Sequence, residues 1–135
     1  HEQANGALYL FIQDSIEWLD HAKGAIANFH IVFMIQLSFH LGFMPNIESG
    51  MSGDYFDLVD GCFVAHVPSH VHYLNKEDSM RLVSLFRLDY KTMHLYTMSR
   101  MERNRCVEVI LEYYKLHLPG FPEMKSFAVL QELFA

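Results

Sequence analysis

Apolar positions along this chain switch between two periods, and the switches mark its elements. Leu8, Phe11, Ile12, Ser15, Ile16 and Leu19 recur at steps of three and four between Ala7 and His21, with Asp14, Glu17 and Asp20 between them. That spacing predicts an amphipathic helix whose stripe faces a core, and Gly24 ends it. From about Asn28 to Phe43 the apolar residues Phe29, Ile31, Val32, Phe33, Met34, Ile35, Leu37, Phe39, Leu41 and Phe43 fall on every side. A helix apolar all round is the central one of a bundle, and Gly42 with Pro45 stops it.

Residues 44–54, rich in Pro, Asn, Ser and Gly, read as a loop. Two runs with β character follow, Tyr55–Leu58 and Cys62–His66, joined through Val59-Asp60-Gly61. Asp-Gly between such runs signals a hairpin, which must lie against the helices because a lone hairpin is marginal in water. Val67 to Tyr73 reads as a histidine-bearing loop. Asn75 then caps a helix reaching about Asp89, with Glu77 and Asp78 at its positive end and Met80, Leu82, Val83, Leu85, Phe86 and Leu88 on its core side. Thr92 to Met98 is a short helix or a turn. Ser99-Arg100-Met101-Glu102 has the form of a capping box and opens a helix to about Leu118, whose buried side carries Cys106, Val107, Ile110, Leu111, Tyr114 and Leu118. Pro119-Gly120-Phe121-Pro122 breaks the chain before a last short helix, Glu123 to Phe134. The expected fold is mainly α: one domain over 1–135, an irregular bundle of about five helices with a small hairpin insertion at about 44–74.

Composition narrows the class. Of 135 residues, 51% are hydrophobic and 14% aromatic, which excludes disorder. The longest apolar run, Ile31 to Phe43, is broken by Gln36, Ser38 and His40 and is shorter than the ~20 residues of a membrane span. A chain opening on His1 is expected to be a piece cut from a longer one. Two cysteines, Cys62 and Cys106, form no disulfide framework, in keeping with a reducing cytoplasm. The net charge of −6 hides an asymmetry. Residues 1–75 carry eight acids against Lys23, whereas 79–105 carry Arg81, Arg87, Lys91, Arg100, Arg103 and Arg105 against Asp89 and Glu102. A nucleic-acid-binding domain is usually basic overall, so polyanion contacts are expected only on the 79–105 face or in a part outside this chain.

Candidate chemistry is sparse. Cys62, His66, His70 and His72 equal four zinc ligands in number. Structural zinc, however, uses paired knuckles, commonly with two or three thiolates, and the expectation is ordinary histidines with no metal and no cofactor. Cys106 among Val107 and Ile110 reads as a small buried hydrophobe. Asp57 and Asp60 flank a turn, and turn chemistry accounts for them. No Gly-rich phosphate loop, HExxH or GxSxG occurs, so no enzyme is expected. The basic segment has two readings, a solvated face or a contact strip. As a strip, Arg87, Lys91, Arg100, Arg103 and Arg105 would meet single-stranded DNA backbone or the carboxylates of an acidic tail. Phe86, Tyr90 and Tyr96 lie nearby and read first as core. The methionines read as filler.

Several segments in order resemble the C-terminal domain of the bacterial recombination mediator family RecO, in its Bacteroides-like branch. They are Ala27-Asn28-Phe29-His30, Leu41-Gly42-Phe43-Met44-Pro45-Asn46, Tyr55-Phe56-Asp57-Leu58 with Gly61-Cys62-Phe63-Val64, Ser99-Arg100-Met101-Glu102-Arg103-Asn104, Tyr113-Tyr114 with Leu116 to Pro122, Met124-Lys125-Ser126, and Leu130 to Phe134. The resemblance spans Leu8 to Phe134. It implies an N-terminal OB-fold absent from this chain, single-strand binding and annealing, and RecA loading together with RecR. It also implies docking of the acidic tail of single-strand-binding protein, in a cytoplasmic, nucleoid-associated setting. Two departures stand out. Some relatives build a zinc site from paired CxxC elements where this chain has only Cys62, His66, His70 and His72. Some also place arginines at the start of the central helix, where the tail docks, and this chain has Ala27-Asn28. Two other readings of the residues stay open, a freestanding helical adaptor without a nucleic-acid role and a small zinc-binding protein using the 62–72 loop.

Overall fold

A computed structural model describes residues 2–48 and 54–121. Its helices are α1 (Glu2–His21), α2 (Phe29–Leu41), α3 (Lys76–Phe86) and α4 (Arg100–His117), with a one-turn 3-10 helix at Met93–Leu95. Three short strands, β1 (Tyr55–Asp57), β2 (Cys62–Val64) and β3 (Tyr73–Leu74), form an antiparallel sheet in the order β2-β1-β3. The class is mainly helical, as expected. The last expected helix, Glu123 to Phe134, lies outside the described residues, as do 49–53 of the expected loop.

The central helix is α2, and its partners are α1 on one side and α4 with α3 on the other. Ile31, Met34 and Ile35 of α2 meet Cys106, Val107, Ile110, Leu111 and Tyr114 of α4 in one buried cluster, with Leu85 and Met98. Val109 and Tyr113, on another side of α4, join Phe56, Leu58, Phe63, Leu74 and Leu82 in a second cluster under the sheet. Hydroxyls fasten α4 in both directions. Tyr114 Oη donates to Met34 O at 2.6 Å and Tyr113 Oη to Phe43 O at 2.5 Å. Each such bond contributes about 1 kcal/mol net. The capping box is formed: Ser99 Oγ accepts from Glu102 N at 3.1 Å and Glu102 Oε1 accepts from Ser99 N at 2.8 Å.

Five expectations need correction. The hairpin is part of a larger sheet, because Tyr73-Leu74 leaves the expected loop to pair with β1, Asp57 opposite Tyr73 and Phe56 opposite Leu74. Helix α3 stops at Phe86 rather than about Asp89, because Asp89 Oδ1 accepts from Lys91 N at 2.9 Å and Thr92 N at 2.8 Å and bends the backbone into a turn. Helix α1 begins five residues earlier than Ala7. Its predicted core stripe is split: Phe11 and Ser15 pack inward, whereas Ile16 is 56% and Leu19 37% exposed. The central helix is also not covered all round, since Phe39 is 63% exposed while Ser38 is buried, its hydroxyl donating to Ile35 O at 2.6 Å.

The hairpin turn follows the chemistry expected of Asp57 and Gly61. Asp57 Oδ1 accepts from Val59 N at 2.9 Å and Asp60 N at 3.1 Å, an Asx turn. Gly61 has φ +68°, and a Cβ built on it would lie 3.0 Å from Tyr113 Oη. Only glycine suits that corner.

Candidate functional site

Sequence reasoning nominated two groups of side chains, and the structure treats them differently. In the 62–72 loop, the His70 and His72 rings lie 5.9 Å apart, yet each faces a carboxylate. His70 Nδ1 accepts from His72 N at 3.0 Å, so its proton sits on Nε2, 3.1 Å from the buried Asp57 carboxylate. Both ring nitrogens are then committed, and neither has a lone pair to give to a metal. His72 Nδ1 lies 3.1 Å from Glu112 Oε2. His66 is exposed. Burial first, and the charges of Asp60 and Asp57 next, push the Cys62 thiol up, away from the thiolate that binds metals. Among the described residues no three His, Cys, Asp or Glu side chains converge as a metal site.

The five cations are sorted by their surroundings. Arg105 reaches Asp78 Oδ2 at 3.2 Å and Glu108 Oε2 at 3.7 Å, and neighbouring Arg81 is held by Asp78 and Glu102. That network ties α3 to α4. Arg87, Lys91 and Arg100 are exposed. Of the aromatic residues near them, Tyr90 is enclosed by Trp18 and Phe29, with ring centroids at 5.1 and 5.0 Å, and its hydroxyl donates to Ser15 Oγ at 2.7 Å. Phe86 and Tyr96 are partly buried against the helical core. All three are core residues before they are anything else.

Arg103 stands apart. Its Nη1 donates to Met98 O at 2.7 Å, and it lines a solvent-open pocket of about 160 Å³ with Ala27, Asn28, Met93, His94, Thr97 and Met98 among others. Three chain segments build this cavity: the turn before α2, the 3-10 region and the first turns of α4. Asn28 joins the first two. It occupies the N-cap position of α2 but makes no capping bond. Its Nδ2 instead donates to Met93 O at 2.9 Å and Tyr96 O at 2.8 Å. Two carbonyl partners fix which end of the amide is nitrogen. The other end, Oδ1, is buried without a hydrogen-bond partner, an arrangement that costs about 1–3 kcal/mol. Ala25 is held at φ +56°, which L-residues other than Asn and Gly adopt reluctantly. Unmet polarity and backbone strain tend to gather where a fold serves something besides its own stability.

One more group reports on this wall. His30, on the first turn of α2, is buried. Burial first, and the Arg103 charge second, lower its pKa to about 4, so it is neutral near pH 7. With His30 neutral, the Arg103 guanidinium is a fixed positive charge on this wall. The structure puts Arg103 from α4 beside Ala27 and Asn28, at the start of the central helix. Sequence reasoning had Arg103 as a candidate but had no signal for the cavity.

A family model described as "Recombination protein O C terminal" matches residues 1–126. A DNA repair protein RecO of Phocaeicola vulgatus is 46% identical over 134 residues, which cover 99% of this chain and 56% of that protein. One of Bacteroides fragilis is 47% identical over 134 residues, 98% of this chain and 55% of that protein. One of Porphyromonas gingivalis is 34% identical, again over 98% and 55%. The chain thus spans just over half the length of these relatives. No solved structure matches.

Proposed function

The chain belongs to the recombination protein O C-terminal family, and from that premise we propose that it is the helical docking module of a DNA repair and recombination protein. It works by binding rather than by bond chemistry. Its partner is the acidic tail of single-strand-binding protein, and RecR and single-stranded DNA engage the assembled protein, in single-strand annealing and RecA loading. The observation that carries the reading is the cavity under Arg103. A tail ending in an apolar residue would bury that side chain between Met93 and Met98 and set its terminal carboxylate on the guanidinium. Such a charge-assisted, partly desolvated contact contributes about 1.5–3 kcal/mol, a factor of about ten or more in affinity.

Arg87, Lys91, Arg100 and Arg105 belong to a second proposed contact, with phosphates of the strand. It is sequence-independent and screened by salt. Arg105 shares its charge with Asp78 and Glu108, so it contributes less to this contact than Arg87 and Lys91.

The test is a titration of the full-length protein with a fluorescent acidic peptide ending in phenylalanine. Saturable binding that weakens at least tenfold in Arg103→Ala, and equally when the peptide's terminal carboxyl is amidated, supports the reading. Combining the two changes should cost little more than either alone, because both remove the same contact. A peptide that fails to bind, or whose amide binds as well as the free acid, overturns it.

A further inference from the structure

Helix α1 carries two apolar seams where one would suffice to hold it on the bundle. The inner seam runs Leu8, Phe11, Ser15, Trp18, Ala22, at steps of three and four. It is well used: Phe11 stacks on Phe33 and His40, with centroids at 5.4 and 4.6 Å, and Trp18 stacks on Phe29 and Tyr90 at 5.9 and 5.1 Å. The outer seam runs Tyr9, Ile12, Ile16, Leu19, at steps of three, four and three, a line about 15 Å long at 1.5 Å per residue. Among the described residues, Tyr9 is 66%, Ile16 56% and Leu19 37% exposed along it, and Ile12 is half-buried. Single exposed apolar residues are ordinary. A whole line at coiled-coil spacing is the signature of a face that another element covers.

The relatives supply the occupant. The 134 matched residues are 55% of the Bacteroides fragilis protein, so about 110 of its residues lie outside the match, enough for a domain of their own. The matching family model is a C-terminal one, so these residues precede the match, and α1 is the element they join. We infer that the Tyr9–Leu19 seam of α1 is the seat of the segment that precedes this chain in the longer proteins of the family. Asp14, Glu17 and Asp20 are exposed on the same helix, so the covering surface should be apolar at its centre and basic at its rim. This seam makes no use of the Arg103 cavity, and either proposal stands if the other falls.

Single cysteines in the full-length gene product test it. Tyr9→Cys and Ile16→Cys should react with a maleimide at least tenfold more slowly than Leu95→Cys and Met101→Cys. Those comparison sites are 72% and 81% exposed here, and rates are taken above the background of Cys62 and Cys106. The slow rates should not change on tenfold dilution. Hydroxyl-radical footprinting of the unsubstituted protein gives a second readout should a variant misfold, with Leu19 expected at least tenfold less oxidised than Leu95. Equal reactivity at all four cysteines, or equal oxidation of the two leucines, overturns the inference. Protection that vanishes on dilution also overturns it, since the cover is then a second copy. A gene product with nothing ahead of α1 would do the same.

Discussion

Acidifying the protein should destabilise it through one histidine before its carboxylates are involved. His30 is 7% exposed, and its pKa is lowered to about 4 by burial and, secondarily, by Arg103. In the unfolded chain it returns to about 6.5. The folded state therefore resists a proton that the unfolded state accepts. The stability this represents is complete above about pH 6.5 and is lost as pH falls from there to about 4. A separation of about 2.5 units at 1.36 kcal/mol each gives a total of about 3 kcal/mol, of which about 2 kcal/mol is lost between pH 7 and pH 5. For a domain of this size that is a drop in Tm of roughly 5–10 °C. Glu102 and Asp89 are also held below their ordinary values by hydrogen bonds, Glu102 chiefly from the Ser99 backbone and Asp89 chiefly from the Thr92 backbone. Their contributions fade only in and below the carboxylate range, outside this window. The assay is thermal or urea unfolding at pH 7, 6 and 5 on the parent and on His30→Gln, with His30→Met as a second variant. Both variants should be less sensitive to this pH change than the parent by the amount stated. A His30 ring that titrates near pH 6.5 by NMR in the folded protein would refute the reasoning, as would identical pH slopes in parent and variants.

Two further outcomes follow from named contacts. Ser99→Ala removes the side-chain half of the α4 capping box and should lower stability by about 1 kcal/mol in urea unfolding without changing the slope against denaturant; a neutral result would mean the Glu102 half alone suffices. Single-strand binding by the full-length protein should weaken with salt, and Arg87→Ala with Lys91→Ala should flatten the log–log slope by about 0.7 per lost phosphate contact; an unchanged slope would remove these two residues from the strand contact.

Where an element's signal was local, the sequence was enough. The α4 helix announces its start in Ser99-x-x-Glu102 and one core side in Cys106, Val107, Ile110, Leu111 and Tyr114, all buried, with Leu118 partly so; its second buried side, Val109 and Tyr113, does not show in the pattern. The turn at Asp57–Gly61 is equally legible, because its bonds form within a few residues. The misses share a cause. A strand of two residues, Tyr73-Leu74, has no alternation to read, and only its pairing with β1 makes it a strand. On α1 two seams are offset by one residue, and period alone cannot say which faces the bundle. That was decided by Trp18 and Phe11 finding aromatic partners in α2, and by Ser15, polar yet buried, meeting the Tyr90 hydroxyl 75 positions away.

The candidate site lay beyond reach for the same reason, taken further. Asn28 stands where a helix cap is expected, and a cap is how its identity reads in isolation. Its amide spans instead to carbonyls 65 and 68 positions away, and that bridge holds open the space beside Arg103. Arg103 was legible as one cation in a basic stretch, indistinguishable there from Arg105, two residues on. Packing separates them: Arg105 is neutralised by Asp78 and Glu108, whereas Arg103 meets a backbone carbonyl and a cavity. A guanidinium already paired with carboxylates gains little from another, while one lining a pocket with no carboxylate among the described residues of its wall gains more from an anion that fits. What separates the two arginines is a position in space: α4 brings Arg103 to the side of Ala27 and Asn28, and under the proposed docking an acidic tail would meet its charge there.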